Sequence, residues 1–175
     1  MLLLSLNATA QDVNKFYPGN VSCMKGLSID LPLYMENTNP NIVALQFDIV
    51  TPQGATLSTS SSENKVDATR AVDHRINIRK LSSSGDNRYR LILLSPTNKP
   101  FRANKGVLGT VKMTIADAAA LEEEQNYPLT VSSVILSDSL GNNVMTAYES
   151  GSLSIGANPD FVVENVRLTG NTTVN

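Results

Sequence analysis

The sequence predicts an all-β fold, an antiparallel β-sandwich of about nine strands with jelly-roll topology, on three observations. Serine, threonine and asparagine make up 50 of the 175 residues, and only 17% of the residues are charged. Short stretches in which apolar and polar residues alternate are separated by turn sequences rich in Gly, Pro, Asn and Ser, which is the pattern of half-buried strands. One stretch alone, residues 116–125, has the alanine and glutamate content of a helix, and we expect a short connecting helix there.

The first two clear strands are predicted at 27–36 and 42–50, joined by the loop 37–41 and followed by a turn at 51–54. Alternation in the first strand assigns to the core Leu27, Ile29, Leu31, Leu33 and Met35. In the second strand, the same alternation assigns to the core Val43, Leu45, Phe47 and Ile49. Side chains of a strand point alternately to its two faces, so each strand has one buried face.

The remaining strands follow from the same pattern. Strands are predicted around 65–70 and 72–81, with one face of the second carrying Val72, His74, Ile76 and Ile78. A hairpin loop is predicted at 82–87. In the strand 88–95 that follows it, the side chains of Tyr89, Leu91 and Leu93 point inward. In the strand 106–115, the inward positions are Val107, Gly109, Val111, Met113 and Ile115. Strands at 127–136, 144–148 and 151–155 complete the fold. The predicted core includes Leu31, Leu33, Leu45, Phe47, Ile49, Ile76, Leu91, Val111, Val131 and Val134.

Composition argues against several classes of function. The chain has one His, one Cys and no Trp, which excludes an intrachain disulfide and most His/Cys metal sites. Its net charge of −2 provides no overall field for binding nucleic acid. No nucleophile, phosphate-loop or metalloprotease motif occurs, and alternation assigns His74 to the core. We therefore expect no enzyme activity, no cofactor and no metal, and no segment has the length to span a membrane.

The two ends of the chain differ from its middle. Residues 1–10 combine an apolar run with a small-residue cleavage site, so we interpret them as the remnant of a secretory signal peptide. After closing strand 151–155, residues 157–175 read as a linker and the first strand of a further domain. That segment resembles the opening strand of the immunoglobulin-like adhesion-related domains of bacterial surface proteins. Its removal is expected to change the stability of the preceding domain by no more than about 1 kcal/mol.

Residues 12–156 resemble a known family. The segments that carry the resemblance are, in order, ALQFDIVTPQGATL, RAVDHRINI, DNRYRLILLSPTNKPF, GVLGTVKMTI and NYPLTVSSVILSDSLGNNV. They are similar to cohesin-like domains of multidomain secreted bacterial proteins. The resemblance implies a nine-stranded jelly-roll sandwich, and a fold superfamily that also includes carbohydrate-binding modules. It further implies a secreted or cell-surface location and a dockerin-like module or another surface protein as partner.

The resemblance also implies where a partner would dock. In cohesins the partner binds one sheet face built from the third, fifth, sixth and eighth strands, which correspond here to 42–50, 72–81, 88–95 and 127–136. By alternation, the outward residues of this candidate partner-binding face are Gln46, Asp48, Arg75, Asn77, Arg79, Arg88 and Arg90. Four of the chain's seven arginines are in this set. By the same alternation, the side chains of Ile92 and Leu94 also point outward from this face.

Three functions are compatible with this pattern. The first is a non-catalytic extracellular protein-interaction or scaffolding module. The second is a carbohydrate-binding module, but the chain has no Trp, and no predicted strand carries two aromatic residues on one face. The third is a passive spacer domain in a surface adhesin, with solvated arginines that bind nothing. Glycan binding is the less favoured alternative, because sugar rings are usually bound on exposed aromatic side chains.

Overall fold

The computed structural model describes residues 13–81 and 87–157, which form twelve β-strands and no helix. The strands, numbered in chain order, are β1 (Asn14–Pro18), β2 (Val21–Cys23), β3 (Ser28–Asn37), β4 (Ile42–Thr51), β5 (Ala55–Leu57), β6 (Lys65–Val66), β7 (Arg75–Lys80), β8 (Asn87–Leu94), β9 (Lys105–Ile115), β10 (Asn126–Asp138), β11 (Ala147–Tyr148) and β12 (Gly151–Ile155).

These strands form two six-stranded sheets that pack face to face. In the first sheet the strand order is β11-β1-β3-β9-β5, and β6 also pairs with β9. In the second sheet the order is β2-β12-β10-β4-β8-β7. Adjacent strands are antiparallel except for two short parallel pairs, β1 with β11 and β2 with β12. The predicted all-β sandwich is confirmed.

Alternating apolar side chains from both sheets form one core between them. All ten residues of the predicted core are buried, because each strand has one face against the opposite sheet. Near the centre, the rings of Phe16 and Phe47 lie 4.4 Å apart between centroids, with their planes tilted by 39°. Such a tilted aromatic pair adds to the stabilisation that burial alone provides.

The sequence did not identify the first two strands, β1 and β2, which belong to different sheets. The chain crosses between the sheets at Gly19 and Asn20. This crossing passes so close to β12 that a Cβ atom at Gly151 would lie 2.6 Å from the carbonyl oxygen of Gly19. Only glycine fits there without moving the backbone.

The helix predicted at 116–125 is wrong. The segment is a series of turns, and its backbone groups bond to the turn between β4 and β5 and to β12. The amide of Ala116 donates to Gly54 O at 2.8 Å, and the amide of Glu124 donates to Ile155 O at 2.8 Å. Leu121 is buried in the core. A ten-residue helix is marginal in water, so these tertiary contacts outweigh the local propensity of alanine and glutamate.

The strands predicted at 65–70 and 72–81 are also shorter than expected. Pairing covers only β6 and β7. Between them, the Asp67 carboxylate accepts hydrogen bonds from the amides of Thr69 and Arg70 at 2.9 and 2.7 Å, which folds the chain into a turn. Val72 therefore lies outside the strand and is exposed, although alternation assigned it to the core.

Irregular pairing shifts the buried face at other positions. Leu27 precedes β3 and is exposed. In β9 a register shift beside Leu33 and Tyr34 buries Leu108 and leaves Val107, which had been assigned to the core, only half-buried. The strand predicted at 144–148 is reduced to β11. β-Bulges cause such shifts by adding one residue to one strand of a pair.

The predicted signal-peptide remnant at 1–10 and the predicted strand after residue 157 lie outside the described residues. Within residues 13–81 and 87–157, no helix is long and apolar enough to cross a membrane.

Candidate partner-binding face

The four strands that carry the predicted site are consecutive in the second sheet, in the order β10-β4-β8-β7. The structure places all seven predicted residues on the side of these strands that points away from the core. We call this surface the arginine face. Neighbouring strands are about 4.8 Å apart, so the four strands span about 14 Å.

Register between the strands arranges the outward side chains in rows across the sheet. Each row takes one residue from β7, β8, β4 and β10 in turn. The first row is Arg79, Arg90, Asp48 and Ser132. The second row is Asn77, Ile92, Gln46 and Ile135. The third row is Arg75, Leu94, Ala44 and Ser137. Arg88 lies beyond the first row, opposite Val50.

Asp48 differs from the other predicted contact residues because it is only 3% exposed. Its carboxylate accepts two hydrogen bonds from Arg90, from Nε at 2.7 Å and from Nη2 at 2.9 Å. This bidentate hydrogen bonding raises the pKa of the Arg90 guanidinium. Arg79 lies directly opposite Arg90, and like charges opposed across a sheet repel. Asp48 therefore orients Arg90 and offsets this repulsion, and is not itself open to a partner.

Three arginines on the face remain free to bind. Arg75, Arg79 and Arg88 are exposed, and no ion pair joins any of them to another described residue. A guanidinium group presents several N–H donors in one plane and binds carboxylates in a bidentate manner. These side chains can therefore bind acidic groups on a partner.

Apolar side chains lie between and beside these arginines. Leu94 is 42% exposed and Ile135 is 37% exposed, and Ile92, in the same row as Ile135, is half-buried. Arginines beside apolar anchors are typical of protein-binding surfaces. The described residues contain no group of three or more His, Cys, Asp or Glu side chains that could hold a metal.

Sequence reasoning missed Ile135 because a bulge changes the parity of β10. Pairing with β4 shifts between Ser132 and Ile135, and Ser133 has a φ of +52°. Val131 and Val134 are consequently both buried although they are three residues apart. No local sequence signal marks this bulge, because serine is not a residue that requires positive φ.

The opposite face of the molecule carries an aromatic pair that the sequence did not reveal. Tyr17 of β1 and Tyr34 of β3 are opposite in register, and their rings stack with centroids 5.3 Å apart. The Tyr17 hydroxyl donates to Glu36 Oε1 at 3.1 Å, and Lys15 Nζ lies 5.2 Å from the centre of the Tyr17 ring. The rings thus pack against each other and their neighbours, and do not form a flat platform for a sugar.

Comparison with known proteins gives matches among solved structures only: no family model and no curated protein matches this chain. It is similar to a non-cellulosomal cohesin of the archaeon Archaeoglobus fulgidus, with 15% identity and a TM-score of 0.63 over 83% of this chain and 92% of that one. A second similar structure is the cohesin of a cohesin–dockerin complex from Clostridium thermocellum, with 18% identity and a TM-score of 0.63 over 82% and 99% of the two chains.

The sandwich has the cohesin fold. A third similar structure, the sixth cohesin of scaffoldin B from Acetivibrio cellulolyticus, was solved with a bound dockerin. It shares 14% identity at a TM-score of 0.62, over 82% of this chain and 99% of that one. The likeness extends over nearly the whole of each cohesin, so the two-sheet architecture that supports the arginine face is common to all three.

Proposed function

We propose that this cohesin-fold domain is a non-catalytic extracellular protein-interaction module, and that its partner docks on the arginine face through acidic groups. The observation that carries the proposal is the concentration of four of the seven arginines on one sheet face beside Leu94 and Ile135. This positive surface belongs to a chain with a net charge of −2. Charge complementarity with an acidic partner would accelerate association.

The fold supports a partner that is itself a protein. Two of the similar cohesins were solved as complexes with dockerins. A dockerin-like module or another surface protein is therefore the partner class to test first. Fold alone does not determine function, and the argument for the site rests on the arginines and their apolar neighbours.

The test is the binding rate of a variant in which both Arg75 and Arg88 are replaced by alanine. These two exposed arginines lie at opposite ends of the face and make no ion pair within the described residues. A panel of purified dockerin modules would be passed over the immobilised domain at several salt concentrations. For a dockerin that binds, we expect the variant to associate more slowly and with a weaker dependence on salt.

A matched control removes two positive charges elsewhere. Lys25 lies in the turn between β2 and β3, and Lys112 points outward from β9 in the first sheet. Alanine at both positions changes the net charge equally but leaves the arginine face intact. If both double variants bound the partner at the wild-type rate and with the same salt dependence, the arginine face would not be the site. A passive spacer role would then account better for the domain.

Glycan binding is a separate alternative with a separate test. Sugar-binding sites rely on stacking against exposed aromatic rings, and the Tyr17–Tyr34 pair is already occupied by its own contacts. A glycan array should therefore show no specific signal. A signal lost on Tyr34→Ala substitution would instead support carbohydrate binding.

A further inference from the structure

A groove runs beside β7, at the edge of the second sheet. It has a volume of about 520 Å³ and lies between β7 and the segment that leads into β6, and its lining includes Asn64, Val66, His74, Arg75 and Ile76. That volume is in the range of ligand-binding sites. We call this feature the β7 groove.

One wall of the groove is held in place by Asn64. Its side-chain amide donates to the carbonyl oxygens of Ser58 and Ser60, both at 2.9 Å. Its Oδ1 accepts the backbone amide of Lys112 at 3.1 Å. The wall is therefore tied to β9 and preformed, which lowers the cost of binding a ligand.

The other wall is the unpaired edge of β7. The amide of Leu81 donates to Arg88 O at 2.9 Å, which identifies Leu81 and Arg88 as a hydrogen-bonded pair. Because such pairs alternate along an antiparallel ladder, the odd-numbered residues of β7 bond to β8. Ile76 and Ile78 then direct their amide and carbonyl groups to the outer edge, where no described residue pairs with them.

His74 lines the groove with a buried ring whose hydrogen bonds are incomplete. The residue is 5% exposed, and neither ring nitrogen makes a hydrogen bond of standard geometry with a described residue, although the backbone carbonyls of Val43 and Ala71 lie close enough to raise its pKa. Its ring stacks on Phe101 with centroids 3.8 Å apart. Buried polar groups in proteins are nearly always paired. Both imidazole nitrogens are covered in the free domain, so a ligand group that donates to or accepts from this ring would reach it when the ring turns towards the groove.

We propose that the β7 groove binds an extended acidic peptide segment of a partner, which pairs with β7 as an added strand. Alternate side chains of an added strand would lie beside Arg75 and Arg79 on one side and face His74 and Val66 on the other. Carboxylates fit the first set, and valine or threonine fits the second. A threonine hydroxyl can both donate to and accept from the His74 ring.

A second copy of this chain is a poorer occupant. Antiparallel pairing of two β7 edges would bring Arg75 and Arg79 of one copy beside the same arginines of the other. Like charges directly opposed on neighbouring strands destabilise pairing. The arginines thus disfavour edge-to-edge association and favour an acidic strand.

This inference goes beyond the proposed function. It shares Arg75 and Arg79 with the arginine face, but His74, Ile76 and Asn64 lie off that face and distinguish the two sites. The probe is a blocked ten-residue peptide in which glutamate alternates with valine and threonine. One control peptide has lysine in place of glutamate. A second has N-methyl groups on alternate backbone nitrogens, which prevents strand pairing but preserves charge and side chains.

Binding would be followed by the backbone amide signals of the isotope-labelled domain in NMR titrations. We expect shifts in β7 and at His74, and affinity about tenfold lower or worse for the N-methylated peptide, since two or more backbone hydrogen bonds are lost. The His74→Phe variant, which retains the stacking on Phe101, should bind about threefold to tenfold more weakly. Lys25→Ala, which removes a charge far from the groove, should bind as the wild type does.

Four results would overturn the inference. The first is failure of the acidic peptide to bind, and the second is equal binding by its N-methylated form. The third is a dimer that forms through β7, seen by analytical ultracentrifugation. Shifts confined to Arg88 and Arg90 would show that the peptide binds the arginine face by charge alone, which would also reject strand addition. Of these outcomes, only the last bears on the proposed function, because it would place binding of acidic groups on the arginine face.

Discussion

Replacement of His74 by phenylalanine should stabilise the domain and make its stability less dependent on pH. His74 is the only histidine in the chain, and its ring is buried without a hydrogen bond of standard geometry to a described residue. Burial lowers the pKa of His74 below 6.5. Contacts with the backbone carbonyls of Val43 and Ala71, which fall short of standard hydrogen-bond geometry, and the charge of Asp73 offset part of this effect. The ring is therefore neutral in the folded domain at neutral pH.

The magnitude follows from two contributions. An unpaired buried polar group costs about 1–3 kcal/mol, so phenylalanine, which keeps the stacking on Phe101, should raise the free energy of unfolding by about 1 kcal/mol at pH 7. The second contribution is linkage to protons. Because the pKa of His74 is lower in the folded state, the unfolded state takes up the proton first. Stability is complete only well above pH 6.5 and is lost as the pH falls through 6.5 towards the folded pKa, by at most about 1.4 kcal/mol at pH 5.5.

The assay is urea unfolding between pH 5.5 and 7, followed by far-ultraviolet circular dichroism because the chain has no Trp. This pH window isolates His74. The carboxyl groups with lowered pKa, such as Asp67 and Asp138, start from ordinary values of 3.8 and titrate at lower pH. A control variant, Val131→Ala, shortens a buried side chain but retains His74. It should be less stable at every pH and keep the wild-type pH dependence.

The reasoning would be refuted if the wild type and the His74→Phe variant lost stability in parallel between pH 7 and 5.5. It would equally fail if the variant were less stable than the wild type at pH 7. Either result would mean that the imidazole is satisfied in the folded domain, and His74 would then no longer support a ligand in the β7 groove.

Three further predictions concern stability and can be measured by urea unfolding at pH 7. Phe47→Ala should cost about 3–5 kcal/mol, because the ring is fully buried against Phe16; a loss under 1 kcal/mol would contradict the core described above. Gly109→Ala should cost about 1–3 kcal/mol, because the new Cβ would lie 2.4 Å from the carbonyl oxygen of Lys65; unchanged stability would show that β6 moves freely. Arg70→Lys should cost about 2–3 kcal/mol, since the buried guanidinium donates to three acceptors at 2.7–3.2 Å that a lysine cannot all reach; wild-type stability would argue against this role.

The alternation of side chains was enough to predict which strands form the core. In β4 and β8 the pattern continues without interruption, so residues such as Leu45, Phe47 and Leu91 could be assigned correctly from the sequence. The same regularity let the sequence predict that Arg79 and Arg90 point outward. A strand with one buried face must alternate apolar and polar residues. That alternation can be recognised from neighbouring residues in the sequence alone.

Tertiary structure determined the features that depend on contacts between distant segments. The bulge at Ser133 exposes Ile135. Hydrogen bonds to β12 hold residues 116–125 in turns, so that no helix forms there. Asp48 was predicted as a contact residue, but its burial follows from the bidentate pairing with Arg90 across two strands.

The β7 groove and the buried ring of His74 are also features that depend on contacts between distant segments. Alternation placed His74 on the inward face correctly, but the identity of its neighbours depends on how the segment before β6 packs beside β7. Hydrogen-bond satisfaction is a property of the three-dimensional surroundings and has no periodic signature in sequence. The sequence therefore determined the sandwich and the outward arginines, whereas packing between the two sheets determined which polar groups remain available to a partner.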